Sequence, residues 1–161
     1  MLGQKVLLNQ MPIAIKDSKI DISSEETTKE LAKDLTHYLK GGEIIYLYGE
    51  MGVGKTTFVR HLINQFQKNK KLHITEVTSP TFNLLNEYDI NDLVIKHYDL
   101  FRLKDESEIK NLDLFENNQS TITLIEWPQL ISKNKSIKTI DLIFSYENEL
   151  NNRSVKISGL N

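Results

Sequence analysis

The strongest chemical pattern in this sequence is a glycine-rich segment, Gly49–Thr56. It reads Gly-Glu-Met-Gly-Val-Gly-Lys-Thr and matches G-x-x-x-x-G-K-[ST] at every fixed position. Gly54 lets the backbone approach an anion closely, and the N–H groups at the following helix start would face a β-phosphate. Lys55 supplies a charge for the β- and γ-phosphates, and the Thr56 hydroxyl is an oxygen ligand suited to Mg²⁺. The segment predicts a nucleotide-phosphate site, the alternative being a glycine-rich turn without a ligand.

Two acidic residues stand where predicted strands end. Asp99 follows the extended run Val94–Tyr98, and Glu126 follows the apolar run Thr121–Ile125. Ligands of α/β sheets bind at the carboxyl ends of strands, so both acids could face the nucleotide. A phosphate loop needs one acid to hold the metal and a group to orient the attacking water. Position alone leaves open that each acid is an ordinary solvated loop residue.

Three further residues near these positions have both a functional and a structural interpretation. The Thr81 hydroxyl could reach the metal or the γ-phosphate, as in switch-type loops, or it could cap a Ser-Pro turn. Trp127 could stack on a base or pack at the sheet edge. His97 is interpreted as a structural histidine because no nucleophile pairs with it, and the four histidines of the chain show no metal-ligand spacing.

The composition and charge of the chain exclude several kinds of site and of protein. The chain has 161 residues, a net charge of −2 and a pI of about 6.1, so a nucleic-acid contact would be local or carried by a partner. Because there is no cysteine, a disulfide framework, a Cys-ligated zinc site and a thiol nucleophile are excluded. The N-terminus lacks the apolar core of a signal peptide, and no stretch approaches the length of a membrane span. We therefore expect a cytoplasmic protein.

The elements predicted around the motifs alternate between helix and strand. The pattern Ser23–Glu26 indicates a capping box for a helix that Gly41-Gly42 would end. The other predicted helices are Thr57–Gln67 and Asp105–Leu112, and the predicted strands are Glu43–Tyr48, Phe82–Tyr88, Leu93–Tyr98, Thr121–Glu126, Ile137–Tyr146 and Arg153–Ser158. These predict one three-layer α/β P-loop NTPase domain over 1–161, with a parallel core and antiparallel hairpins in a mixed sheet. Residues 1–20 are expected to form a loosely attached N-terminal strand or extension.

Four motifs in order resemble the TsaE (YjeE) family. They are Gly49–Thr56, Thr78-Ser79-Pro80-Thr81-Phe82, His97-Tyr98-Asp99-Leu100-Phe101-Arg102-Leu103 and Leu124-Ile125-Glu126-Trp127-Pro128. The similarity runs from about Ser23 to Ile157. This family comprises the bacterial ATPases needed for threonylcarbamoyladenosine (t⁶A) modification of tRNA.

The resemblance implies a set of roles beyond those argued from spacing. It places Thr56 and Asp99 at Mg²⁺, Glu126 near the attacking water, Trp127 beside the nucleotide and Thr81 in a switch-like loop. It implies ATP and ADP as ligands and TsaB- and TsaD-like partners, with tRNA contacted only through that complex, which hydrolysis resets. The expected catalytic residues are Lys55, Glu126 and Asp99; the expected metal ligands are Thr56, Asp99 and Glu126; the expected nucleotide-binding residues are Gly49, Glu50, Met51, Gly52, Val53, Gly54, Lys55, Thr56, Thr57, Thr81 and Trp127.

The sequence departs from the family at two places. Phe101 stands where the family usually has Tyr, so a hydroxyl is absent there. Asp113 replaces a glycine that usually ends the Glu-Leu-x-x-Leu-Gly segment. The second departure affects the expected contacts with partners and not the ATP site.

Two other functions remain open at the level of sequence. A small-molecule kinase would close an arginine-bearing lid over the phosphates, whereas the arginines here, Arg60, Arg102 and Arg153, are not clustered. A nucleotide-gated switch would bind without appreciable hydrolysis. A GTPase is disfavoured, since Asn134–Ile137 lacks the acid of the Asn-Lys-x-Asp guanine motif. Because no arginine is clearly placed as a finger in cis, we expect slow turnover alone and faster turnover with partners.

Overall fold

A seven-stranded mixed sheet organises the computed structural model, which describes residues 19–116, 119–132, 138–148 and 151–160. The strands in chain order are β1 Lys19–Asp21, β2 Ile44–Tyr48, β3 Leu85–Ile90, β4 Leu93–Asp99, β5 Thr121–Glu126, β6 Thr139–Tyr146 and β7 Arg153–Ser158. Their order across the sheet is β1-β7-β6-β2-β5-β4-β3. β6, β2, β5 and β4 are mutually parallel, whereas β3–β4, β6–β7 and β1–β7 are antiparallel pairs. The predicted parallel core flanked by hairpins is confirmed.

Two helices cover one face of the sheet. α1 spans Glu25–Leu35 and α2 spans Lys55–Asn69, and the two pack against each other. Alternate residues of β2 serve opposite faces, because successive strand side chains point to opposite sides. Ile45 and Leu47 join the core beneath the helices, whereas Ile44 and Tyr46 join the core on the other side. All four are fully buried, which explains why the β2 sequence is apolar without alternation.

Short segments cover the opposite face. They are α3 at Glu106–Ile109, a 3₁₀ turn at Lys110–Leu112 that continues it, and a second 3₁₀ turn at Pro128–Leu130. Partly buried apolar side chains of α3, the following turn and the adjoining loops, including Ile109, Leu112 and Phe115, pack on this side. The third layer is therefore present but much thinner than the layer formed by α1 and α2.

The helix α1 begins and ends at different residues from those predicted. Its N-cap is Ser24, whose Oγ accepts from the Glu26 amide at 3.2 Å, whereas Ser23 Oγ accepts from the Arg153 amide at 2.9 Å. It ends at Leu35, before Gly41-Gly42. Gly41 has a φ of +116° because the chain passes Gln119 there, and an added Cβ would lie 1.8 Å from the Gln119 carbonyl oxygen. These glycines serve a close approach of two backbones, not a helix end.

Some predicted features lie outside the described residues. They include positions 1–18 of the expected N-terminal extension and the segment Asn134–Ile137. The remaining end of the extension, Lys19–Asp21, is a sheet-edge strand paired with β7. No helix in the described part of the chain is long and apolar enough to cross a membrane.

Candidate functional site

The phosphate-type loop connects the carboxyl end of β2 to the start of α2. Gly49 has a φ of +146°, and an added Cβ would lie 2.9 Å from the Phe144 carbonyl oxygen, so no side chain fits there. Gly54 precedes α2 with a φ of +116° and caps the helix without any side-chain hydrogen bond. The first turn of α2 contains no acidic residue. The partial positive charge of the helix end is therefore available to an anion.

Lys55 is a buried cation in this loop, with 4% of its surface exposed. Its Nζ donates to the Gly49 carbonyl oxygen and lies 3.5 Å from the ring centroid of Trp127. Burial lowers the pKa of Lys55, while the charges of Glu126 and Asp99 oppose that shift. A phosphate oxygen would be a stronger partner for this ammonium than a carbonyl or a ring face.

A chain of polar contacts links the loop to the ends of β4 and β5. The Thr56 hydroxyl lies 3.1 and 3.2 Å from the two carboxylate oxygens of Glu126, and it donates to them. His97 Nε2 lies 2.6 Å from Glu126 Oε2. His97 and Glu126 are buried, so the polar chain runs from the helix start into the interior of the sheet.

Asp99 stands beside Glu126 because the two are paired in register across β4 and β5. Its carboxylate accepts from Ser79 Oγ at 2.6 Å and from the Phe101 amide at 3.0 Å. Ser79 belongs to the segment predicted as a switch-like loop. Arg102 donates to the carbonyl oxygen of Phe82 at 2.7 Å, so this loop is held at both ends by residues at or just after the end of β4.

These groups surround one cavity of about 340 Å³. It lies over the start of α2 and brings cations and carboxylates together: Lys55, Arg102 and Arg153 with Asp99 and Glu126. The remaining lining residues are Met51, Gly52, Gly54, Thr56, Thr57, Ser79, Thr81, Phe101 and Trp127. A volume of this size lies within the usual range for small-molecule sites.

Most of the residues predicted for the site line this cavity. The exceptions are Gly49, Glu50 and Val53. Val53 is fully buried in the core beneath the helices, and its Cγ1 would lie 2.9 Å from a Cβ at Gly49. Glu50 is exposed, and its carbonyl accepts from the Val53 amide at 3.2 Å. These three residues shape the loop and do not face the cavity.

Two arginines line the cavity, whereas the sequence does not clearly place any arginine as a finger in cis. Arg102 follows β4, and Arg153 begins β7 with its Nη1 3.5 Å from the position of a Cβ on Gly54. Arg102 lies within the motif His97–Leu103, so the sequence contained a signal for its place near the site. Arg153 carried no local signal, because its position depends on β7 pairing with β6 beside β2. Ser79 and His97 were also missed as site residues, although the spacing His97-x-Asp99 places both side chains on one face of β4.

The donor groups of the cavity suit a magnesium ion. The Thr56 hydroxyl and the carboxylates of Asp99 and Glu126 are hard oxygen donors, as Mg²⁺ prefers. The hydrogen bond between Thr56 and Glu126 brings two of these donors together at the phosphate end of the loop. The described residues contain no cluster of three or more His, Cys, Asp or Glu side chains suited to a metal. A metal here would therefore rely on a hydroxyl, water and ligand oxygens as well as carboxylates.

Trp127 has an unusual backbone at the edge of the cavity. Its φ is +59°, in the left-handed region that non-glycine residues seldom adopt. The ring lies 4.8 Å from that of Phe101, centroid to centroid, and on the Lys55 ammonium. Trp127 packs at the sheet end, as one of the two sequence interpretations expects, and it also lines the cavity. Its stacking on a base stays a prediction.

Comparison with known proteins places the chain beside one family. The family model described as threonylcarbamoyl adenosine biosynthesis protein TsaE matches residues 22–155. A "tRNA threonylcarbamoyladenosine biosynthesis protein TsaE" from Rickettsia conorii is 44% identical over 110 residues, which are 68% of this chain and 61% of that protein. The protein of the same name from Bacillus subtilis is 36% identical over 74% of this chain and 72% of its own length. The Nostoc protein is 33% identical over 89% of this chain and 87% of its own length.

A solved structure supports the fold independently. The crystal structure of Bacillus subtilis YdiB matches with a TM-score of 0.65 and 21% identity, covering 89% of this chain and 86% of that one. At this identity the match concerns the fold alone. The mixed α/β sheet described above is thus shared with a known structure.

Proposed function

The chain belongs to the TsaE family of threonylcarbamoyl adenosine biosynthesis proteins, and from this premise we propose that it is a magnesium-dependent ATPase serving tRNA t⁶A modification. The proposed reaction transfers the γ-phosphoryl group of ATP to water, giving ADP and phosphate. The proposed partners are TsaB- and TsaD-like proteins, whose complex is reset by hydrolysis. Contact with tRNA would occur only through that complex, and the proposed compartment is the cytoplasm.

The phosphates would be held by the loop and by Lys55. The amides of Gly52, Gly54 and the first residues of α2 offer donors around the cavity, and the helix end adds partial positive charge. Lys55 is buried and would exchange its contacts with Gly49 and Trp127 for β- and γ-phosphate oxygens. This exchange would favour a triphosphate, because the desolvated ammonium gains two charged partners.

Thr56, Asp99 and Glu126 would hold the metal, directly or through water. When bound, Mg²⁺ would supply positive charge across the β- and γ-phosphate oxygens, where negative charge develops during transfer. Asp99 is kept in place by Ser79 and the Phe101 amide, so its carboxylate needs no rearrangement to face the cavity. This arrangement supports a role for Ser79 and Thr81 as a loop that senses the γ-phosphate.

Glu126 would orient the attacking water. Its carboxylate is buried at the end of β5 and already accepts a hydrogen bond from the residue after Lys55. The water oxygen would attack the γ-phosphorus in line, and the bond to the bridging oxygen of ADP would break. The observation that carries the proposal is this direct contact between Thr56 and Glu126, which joins the phosphate loop to an acid on a neighbouring strand.

Arg102 and Arg153 bear on the expected rate. Both line the cavity, so charge stabilisation by an arginine in cis is available to this chain. The Arg102 guanidinium is engaged by the Phe82 carbonyl oxygen. We therefore propose that the protein alone turns over slowly and that partners stimulate it. The physical basis would be that partner binding frees the Arg102 guanidinium from the Phe82 carbonyl oxygen.

The test is phosphate release from ATP with and without TsaB- and TsaD-like proteins. Glu126→Gln should lower kcat by about a hundredfold or more, the usual loss for a general acid–base or water-orienting group. Its affinity for Mg-ATP should stay within a few-fold of the parent, so the variant should remain on the partner complex with ATP bound.

Glu50→Gln is the matched control, because Glu50 is an exposed acid in the same loop that does not line the cavity. It should hydrolyse ATP like the parent. If Glu126→Gln also released phosphate at the parental rate, or if it left function in cells intact, the protein would be a nucleotide-gated switch and the proposed hydrolysis would be wrong.

A further inference from the structure

A buried histidine lies behind the acid of the proposed hydrolytic site. His97 is fully buried on β4, and Glu126 has 2% of its surface exposed on β5. The 2.6 Å contact joins His97 Nε2 to Glu126 Oε2, while Thr56 approaches both carboxylate oxygens from the loop. The carboxylate is therefore held between a fixed ring and a hydroxyl.

The surroundings of the ring decide its hydrogen-bonding form. A carboxylate only accepts, so Nε2 must carry the hydrogen in this contact. His97 Nδ1 is buried and has no hydrogen-bond partner among the described residues. The ring therefore makes its one described side-chain contact with the Glu126 carboxylate, and this contact fixes how the two groups face each other.

We propose that His97 is a positioning residue that fixes the Glu126 carboxylate for the attacking water. The geometry of this inference comes from the buried contact between His97 and Glu126. Its effect on the reaction rate rests on the proposed hydrolysis. A carboxylate without the ring would be free to rotate about its side-chain bonds and to leave its 3.1 and 3.2 Å contacts with the Thr56 hydroxyl. Mutation of a residue that orients a catalytic or metal-binding group commonly lowers activity by roughly 10- to 100-fold.

Two polar replacements separate positioning from plain structural support. In His97→Gln the amide nitrogen can occupy the place of Nε2 and donate to Glu126. In His97→Asn the shorter side chain keeps the polarity but its amide nitrogen matches Nδ1 and cannot reach. Both replacement side chains are neutral and similar in polarity. The two variants therefore differ mainly in whether the amide nitrogen can reach the Glu126 carboxylate.

We expect kcat per folded molecule to fall about 10- to 100-fold in His97→Asn and to stay within about threefold of the parent in His97→Gln. The dissociation constant of Mg-ADP should stay within about threefold in both, because His97 does not line the cavity. Melting temperatures are recorded alongside. Equal kcat values in the two variants, or a loss of nucleotide affinity that matches the loss of rate, would overturn the inference.

A nitrogen-15 spectrum of histidine-labelled protein tests the geometry without any turnover. The His97 signals, identified by their absence in His97→Gln, should show an Nε2 that carries a hydrogen. The Nε2 signal should move in Glu126→Ala and not in Glu50→Ala. An Nε2 that carries no hydrogen would refute the positioning contact, whereas absence of parental ATP hydrolysis with intact signals would refute only the proposed function.

Discussion

Lys55 and Trp127 show how single side chains can prepare an anion site. The ammonium is buried against a carbonyl oxygen and the indole face, and burial lowers its pKa. Both contacts are weaker than a charge-assisted bond to phosphate, so ligand binding can displace them. Phe101 packs against the same indole ring at a tilt of 53° between the ring planes. This contact needs no hydroxyl, which explains how Phe can stand where the family usually has Tyr.

Trp127 should report nucleotide binding by its fluorescence. It is the single tryptophan of the chain, so its emission needs no deconvolution. When phosphate takes the Lys55 ammonium, the cation leaves its position 3.5 Å from the ring centroid and the emission should change in a saturable way. Titration with Mg-ADP measures this change.

Lys55→Met is the control for the fluorescence experiment. Without the cation, the emission of the free protein should already differ from that of the parent, and the response to Mg-ADP should disappear. Superimposable parental spectra with and without saturating Mg-ADP would contradict the proposed exchange of contacts.

At the scale of elements, Asp113 ends the short helical segment after β4, and it is one of the two positions where the sequence departs from the family pattern. Asp113 follows the 3₁₀ turn Lys110–Leu112 with φ 52° and ψ 38°, the left-handed conformation. Glycine adopts this conformation without a Cβ penalty, and Asp tolerates it better than most residues do. Asp113 is therefore a residue that this backbone conformation tolerates. The fold of this segment needs a left-handed residue and not glycine itself.

Substitutions at Asp113 should rank by their tolerance of that conformation. Asp113→Gly should raise the free energy of unfolding by about 0.5–1 kcal/mol, and Asp113→Ala should lower it by a similar amount. Asp113→Asn should be close to the parent, since Asn also visits this region. Urea or thermal unfolding measures these free energies, which should be highest with Gly at position 113, intermediate with Asn or Asp, and lowest with Ala. An Ala variant as stable as the Gly variant would show that the backbone changes conformation here.

At the scale of the whole molecule, sheet order creates the cavity. β2 carries the loop, β5 and β4 beside it carry Glu126 and Asp99, and the β6–β7 hairpin on the other side carries Arg153. Arg153 also ties the entrance of α1 to the site, because its Nη2 donates to the Ser23 carbonyl oxygen at 3.3 Å. A ligand in the cavity would therefore contact residues from most of the sheet and stabilise the folded chain as a unit.

Mg-ADP should raise the melting temperature of the parent protein. At about one hundred times the dissociation constant, linkage adds about 2.7 kcal/mol, which corresponds to roughly 5–10 °C for a domain of this size. Lys55→Met should lose this shift, while its ligand-free melting temperature should equal or exceed that of the parent, because the replacement removes a buried cation. A ligand shift in Lys55→Met equal to the parental one would contradict the role given to Lys55.

Local sequence determined the parts of this protein that depend on neighbours along the chain. The strand Thr121–Glu126 is predicted to the residue, because its apolar periodicity is a local signal. The hairpin β3–β4 is predicted with its turn at Asn91-Asp92, but its first strand is Leu85–Ile90 and not Phe82–Tyr88. The phosphate loop was identified for the same reason. Its chemistry requires fixed residue types at short spacing, and those are visible in one dimension.

Only the tertiary structure decided which distant residues meet at the loop. Thr56 and Glu126 are 70 positions apart, and their contact exists because β5 lies next to β2. The pairing of β4 with β5 likewise gives His97 its place behind Glu126, and the pairing of β7 with β6 gives Arg153 its place beside Gly54. Strand order arises from the packing of the whole sheet on its helices, so no window of sequence contains it. The proposed phosphate loop could therefore be identified from the sequence, whereas the side chains around it could be identified only from the fold.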